Sequence, residues 1–144
     1  MIREDYKLTI NVPESAFGTY DKIARVSYWW AKDFKGSAAN CGDAFTIRFG
    51  ETFVDFKIME AVPGNRVVWH VADCNLPWLE DKTEWNGTDV IFDISVSHGE
   101  TTITMTHSGL TPGIECLEVC KEGWDGYIGR SLKQFLTDGR GMPE

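Results

Sequence analysis

Residues 115–138, ECLEVCKEGWDGYIGRSLKQFLTD, decide the fold. Leu117, Cys120, Trp124, Tyr127, Ile128, Leu132 and Phe135 recur at three- and four-residue spacing, while Glu115, Glu118, Glu122, Asp125 and Lys133 lie largely opposite. That is the period of one long amphipathic helix, whose apolar stripe has to be buried against a second layer. It ends before Gly139, since Gly139, Gly141 and Pro143 supply stop signals.

The second layer is written upstream in a period of two. Phe45, Ile47 and Phe49 alternate with Thr46 and Arg48, and Val54, Phe56 and Ile58 alternate with Asp55 and Lys57. Pro63-Gly64-Asn65 marks a turn into residues 66–71. Val90, Phe92, Ile94 and Val96 then precede a His98-Gly99-Glu100 turn into residues 101–107. Tyr6 to Val12 alternates in the same way, which makes six half-buried strands. In the last of them Ile103, Met105 and His107 share the apolar face, and Thr102, Thr104 and Thr106 share the wet one. Between the first strand and the rest, Pro13 and Glu14 suit an opening helical turn. Ala16, Phe17, Tyr20, Ile23 and Ala24 then predict a short helical pair running to about Ala31. Residues 35–43 are small and turn-forming and read as a loop. The fold class is α+β: a curved six-stranded antiparallel sheet, two short helices and a long C-terminal helix. No repeat or linker interrupts residues 1–144, so one domain is expected.

A chain of 144 residues is long enough for one sizeable core. Its formal charge of −8, with basic residues scattered among acids, argues against nucleic acid and anionic membrane surfaces as partners. Met1-Ile2-Arg3-Glu4-Asp5 is charged where a secretory signal needs an apolar stretch, and no run approaches the ~18 apolar residues of a membrane span. A cytoplasmic location is therefore expected, with the four cysteines as reduced thiols.

The order strand, helical pair, antiparallel meander and long helix resembles the START-like (SRPBCC) helix-grip superfamily. Within it the chain is most similar to the small stand-alone form of the family named for the activator of the heat-shock-protein-90 ATPase. The likeness is carried by Val12-Pro13-Glu14, Tyr28-Trp29-Trp30-Ala31, and Pro63-Gly64-Asn65-Arg66-Val67-Val68-Trp69. It continues through Thr106-His107-Ser108-Gly109-Leu110, Gly123-Trp124-Asp125-Gly126-Tyr127, Ser131-Leu132-Lys133 and Gly139-Arg140-Gly141-Met142-Pro143, and so spans nearly the whole chain. The resemblance implies a helix-grip fold. The roles found across the superfamily include lipid and sterol carriers, polyketide cyclases and co-chaperone domains, too wide a range to pass on one activity.

Independently of that likeness, one helix does not fill the concavity of a strongly curved sheet, so side chains or a ligand must. Facing residues are Phe45, Ile47, Phe56, Ile58, Trp69, Phe92, Ile94, Met105, Trp124, Tyr127 and Ile128, with Trp30 and Trp78 as further candidates. This aromatic lining suits a small apolar or amphipathic molecule, and equally suits a closed core. Gly123, Gly126 and Gly129 either leave room for a cavity or kink the helix. His107, on the apolar face, is an acid, base or ligand contact, or else a core histidine satisfied by a backbone carbonyl; no partner carboxylate or nucleophile can be assigned to it. Cys116 and Cys120 with His70 and Cys74 do not form a compact metal motif, because residues 70 and 74 of a strand stand roughly 13 Å apart. No metal or other cofactor is expected. Residues 75–81 carry Leu76, Trp78 and Leu79 between two strands, as a lid, as a partner-contact patch, or as a loop folded onto its own domain. Three function classes follow: a small-molecule binding module; a protein-interaction or co-chaperone module, homodimer included; and a cyclase- or hydrolase-like enzyme resting on His107 and Tyr127.

Overall fold

In the computed structural model, which describes residues 5–110 and 117–144, the period-two segments pair into one antiparallel sheet. Its strands are β1 (Tyr6–Val12), β2 (Asp33–Gly36), β3 (Ala44–Phe49), β4 (Thr52–Val62), β5 (Arg66–Asn75), β6 (Asp89–Ser97) and β7 (Glu100–Ser108). They lie in the order β1-β7-β6-β5-β4-β3-β2. The sheet therefore has seven strands, where the sequence predicts six. The additional one, β2, begins just after the predicted helical pair and runs into the segment read as a loop. It pairs with β3 through Phe34↔Ile47 and Gly36↔Phe45. Four residues with one large apolar side chain are too few to display a period. Exposed Asp33 and Lys35 on an outermost strand are the charged residues that blunt a sheet edge.

The alternation places the apolar faces as expected, except that Thr106, read as part of the wet face of β7, is buried. Ile103, Met105 and His107 are fully buried, while Thr102 and Thr104 bond across to Asn11 and Thr9 on the outer face. Curvature is built into the β4–β5 pair, whose register shifts between Asp55 and Phe56 and again between Ile58 and Glu60; irregularities of this kind bend a strand and deepen its twist.

Two short helices, α1 (Ala16–Ile23) and α2 (Val26–Trp29), connect β1 to β2. The first turn starts after Pro13 and Glu14, because the Ser15 hydroxyl accepts from the Gly18 N–H at 3.0 Å and caps the helix there. The C-terminal run comprises α3 (Leu117–Gly126), a π-helical stretch (Tyr127–Leu132) and α4 (Lys133–Asp138), closed by Gly139 in the left-handed conformation. The glycine-spaced segment thus leads into a change of helical winding. Glu115, on the polar face of the predicted helix, lies outside the described residues.

Beyond Gly139 the chain turns back along α2. Gly141 sits so close to the Tyr28 carbonyl and the Trp29 backbone that a Cβ would collide. The Ser131 hydroxyl donates to the Trp29 carbonyl and accepts from the Met142 N–H at 2.7 Å. The Glu144 N–H reaches the Trp30 carbonyl at 3.0 Å, and the Lys32 N–H reaches the Glu144 carbonyl at 2.9 Å. The expectation of four reduced thiols needs correcting: Cys41 and Cys74 are free, but Cys120 is disulfide-bonded. Domain size and compartment, on which that expectation rested, do not constrain the oxidation state of one local thiol. Cys116 lies outside the described residues.

Candidate functional site

The centre of the concavity is filled by protein. Trp29 and Trp30, at the end of α2, insert between sheet and C-terminal helix. Trp30 stacks parallel to Trp69 at 6.1 Å between centroids, and Trp69 meets Phe92 edge-on at 4.8 Å and Phe56 at 5.4 Å. Phe45 closes the set, 5.0 Å from both Phe56 and Trp69. These are the spacings at which aromatic quadrupoles attract, so the cluster gains more than its buried area alone.

A cavity of about 240 Å³ remains to one side, between the β3–β4 hairpin and α3. The hairpin contributes Ile47, Phe49, Thr52 and Val54. The helix contributes Val119, Cys120, Gly123, Trp124 and Tyr127. Trp30 forms the inner wall, Leu76, Trp78 and Trp85 border it from the β5–β6 connection, and Glu144 stands at the rim. Of the residues expected from sequence, the structure brings Trp30, Ile47, Trp78, Trp124 and Tyr127 together around this space. It places Phe45, Phe56, Ile58, Trp69, Phe92, Met105, His107 and Ile128 in the packed core, away from the lining. For Phe56, Trp69 and Phe92 the packing cause is Trp29 and Trp30, whose rings meet theirs.

The walls are ordered by ring contacts. Trp124 lies 5.1 Å from Trp30 and stacks on Trp85 at 5.9 Å, and Tyr127 stacks on Phe49 at 6.0 Å. The Tyr127 hydroxyl donates to the Glu144 carboxylate at 3.2 Å. Burial first, and that carboxylate second, push its pKa up to about 12, so the phenol stays protonated. The indole N–H groups of Trp30 and Trp85 are buried with no partner among the described residues.

The 76–88 connection is anchored by Leu76 and Leu79, both buried, and by the Leu76 N–H donating to the Lys82 carbonyl at 2.8 Å. Trp78 between them is 49% exposed, so this segment is folded onto its own domain and leaves one indole at the cavity mouth. Val119 flanks the same mouth from α3, also exposed.

His107 is a core histidine, with side-chain partners in place of the backbone carbonyl expected for that reading. Its Nδ1 accepts from the Trp124 indole N–H at 3.0 Å, which leaves the proton on Nε2, 2.9 Å from the Thr88 hydroxyl. Thr88 in turn donates to the Trp85 carbonyl at 2.6 Å. Desolvation outweighs the attraction of Asp5 and lowers the His107 pKa to about 3. A neutral imidazole with both nitrogens engaged orients Trp124 and Trp85, two walls of the cavity, and has no lone pair left for a substrate.

Sequence reasoning overlooked Phe49, Thr52, Val54, Trp85, Val119, Cys120 and Glu144 as lining. Trp85 carries a usable signal, an indole isolated among the polar residues Thr83, Glu84, Asn86 and Gly87. Such a residue in a loop has to be buried against something. Among the described residues no helix is long and apolar enough to cross a membrane, and no group of His, Cys, Asp and Glu could hold a metal ion.

A curved antiparallel sheet gripping a C-terminal helix, with two short helices inserted after the first strand, defines a protein of the helix-grip class. Residues 12–137 match the family described as activator of Hsp90 ATPase homolog 1-like protein, and the chain belongs to that family. Among solved structures it is similar to the Aha1 dimer from Colwellia psychrerythraea, with 26% identity, a TM-score of 0.79, and coverage of 98% of this chain and 100% of that one. The protein SSP2350 from Staphylococcus saprophyticus shares the fold at 16% identity and a TM-score of 0.73, covering 96% of each chain. DynU16, a putative protein in the dynemicin biosynthetic locus, shares it at 19% identity and a TM-score of 0.74, over 97% of this chain and 49% of that one. No curated protein matches the chain in sequence.

Proposed function

We propose that the protein binds a small apolar or amphipathic molecule in the cleft between the β3–β4 hairpin and α3. The observation that carries this reading is the lining itself: six of its side chains are aromatic (Trp30, Phe49, Trp78, Trp85, Trp124 and Tyr127), and the space reaches the surface beside Trp78. Concave apolar sites with a few polar groups at one end are the usual form of small-molecule pockets. At about 240 Å³ the cleft is smaller than the ~300–1,000 Å³ common for such sites, which favours a compact ligand of no more than about three rings or a short chain.

Titration with the neutral dye N-phenyl-1-naphthylamine tests the proposal, with Gly123→Leu as control. Gly123 borders the cleft, and its nearest neighbour to an added Cβ is the Tyr127 ring at 3.8 Å, so a leucine there projects into the cavity on a helix that tolerates it. Saturable dye fluorescence in the wild type, weakened at least about tenfold in Gly123→Leu, is expected for roughly 1.4 kcal/mol of lost binding. No saturable binding, or equal binding by the variant, refutes the site.

A second reading is a protein-interaction role, homodimerisation included. It is favoured by exposed Trp78 and Val119 beside the cleft and by the similar Aha1 of Colwellia psychrerythraea having been solved as a dimer. Sedimentation velocity of the wild type and of Trp78→Ala distinguishes it: a dimer that dissociates in the variant assigns the exposed indole to an interface.

A further inference from the structure

The chemistry of the lining narrows the ligand class beyond its size and apolarity. Among the described residues Glu144 is the single charged side chain bordering the cleft; Arg130 and Glu122 share an adjoining groove with Glu144 and Tyr127 but do not line the cleft itself. Its position is set by the backbone, since its N–H and carbonyl are both paired with the chain that follows α2, and Tyr127 holds its carboxylate from the cavity side. Tyr127, which remains a neutral phenol, adds no second negative charge. The cleft thus combines aromatic walls with one fixed carboxylate at the rim, in a chain whose formal charge is −8.

An anionic amphiphile entering this space would bring its charge towards Glu144 with no described cation in the lining to receive it. A cation gains twice, from the carboxylate and from the negative faces of aromatic rings, the combination that recognises alkylammonium groups. We infer that the cleft selects a cationic amphipathic ligand, an aromatic or short-chain amine or quaternary ammonium compound whose charge lies beside Glu144 and whose apolar body sits among Trp30, Trp85 and Trp124. This inference rests on the proposed binding site and specifies its ligand.

Three naphthalenes of similar size separate the alternatives by isothermal titration calorimetry: (2-naphthylmethyl)trimethylammonium, the neutral 2-acetylnaphthalene and the anion 2-naphthoate. The ammonium compound is expected to bind about tenfold tighter than the ketone, a difference of about 1.4 kcal/mol, with naphthoate weakest. Glu144→Gln, a change at an exposed side chain that leaves the fold intact, should reduce the cation's advantage over the ketone at least about threefold, as should raising the salt concentration. A ketone that binds as well as the cation overturns the inference and assigns selectivity to the unpartnered indole N–H groups of Trp30 and Trp85. Tightest binding by naphthoate overturns it as well, and an unchanged preference in Glu144→Gln removes Glu144 from the site. In each of these cases the cleft still binds; failure of all three compounds to bind removes the cleft itself as a ligand site.

Discussion

Neutral, buried His107 makes stability depend on pH in a way that can be worked out in advance. Its pKa falls from 6.5 in the unfolded chain to about 3 in the fold, chiefly through desolvation. Above pH 6.5 the group is neutral in both states and contributes no pH dependence. As pH falls from 6.5 towards 3, the unfolded chain takes up a proton that the native state refuses, so stability is lost on acidification at about 1.4 kcal/mol per pH unit. Between pH 7.5 and 5.0 this one side chain should therefore remove about 2 kcal/mol. Carboxylates contribute a slope of their own, so the quantity to measure is the difference between the wild type and His107→Asn, whose amide retains an acceptor for the Trp124 indole but does not titrate. Urea unfolding of both proteins at both pH values gives it. The variant should be less stable at pH 7.5, because the bond to Thr88 is lost, yet lose about 2 kcal/mol less on going to pH 5.0. Equal losses in the two proteins would show that His107 takes up its proton in the folded state, and the assignment of its two hydrogen bonds would be wrong.

Three further outcomes are expected. Gly126 has helical angles of φ −73° and ψ −49° and no neighbour near an added Cβ, so Gly126→Ala should stabilise the protein by roughly 0.5–1 kcal/mol, read as a rise of a few degrees in Tm. Trp78→Ala should speed release of N-phenyl-1-naphthylamine in stopped-flow displacement while lowering stability by less than about 1 kcal/mol, because the indole is already half exposed; a large loss of stability with unchanged kinetics would make Trp78 a core residue. Exposed Cys41 should react with a disulfide reagent such as Ellman's within minutes, and Cys74, buried and with its thiol pKa raised by that burial, should react only as the protein unfolds, each assignable by Cys→Ser substitution.

The elements that sequence reveals here are those with enough residues to show a period. β1, β4, β6 and β7 each alternate over several apolar positions, and the Leu117 to Phe135 stripe spans the C-terminal run. β2 escapes because Phe34 is its one large apolar residue and its charged neighbours are what an edge strand requires. The site was less legible than the fold for a different reason. Alternation tells which face of a strand points inward, and Phe56, Trp69, Phe92 and Met105 do point inward, but it does not tell what meets them there. That depends on Trp29, the last residue of a four-residue helix, and on Trp30 just after it, whose placement is a tertiary matter. Their rings fill the middle of the concavity, and the cleft lies to one side, beside the β3–β4 hairpin. Trp85 and Glu144 reach the cleft from a loop and from the chain after α4, where no period reports orientation. The functional possibility raised for the glycines, room beside the helix, applies to Gly123, which borders the cleft, while Gly126 and Gly129 do not line it.

The most direct measurement is the set of intermolecular NOEs between bound N-phenyl-1-naphthylamine and assigned methyl groups of the protein. Val54, Leu76, Val119 and Ile47 line the cleft, whereas Val90, Ile103 and Ile94 belong to the packed core around β6 and β7. NOEs from the dye to the first group and none to the second are the result expected for a ligand held between the β3–β4 hairpin and α3. NOEs to the second group, or to exposed Val62 and Val96 alone, would place the ligand elsewhere and contradict the account.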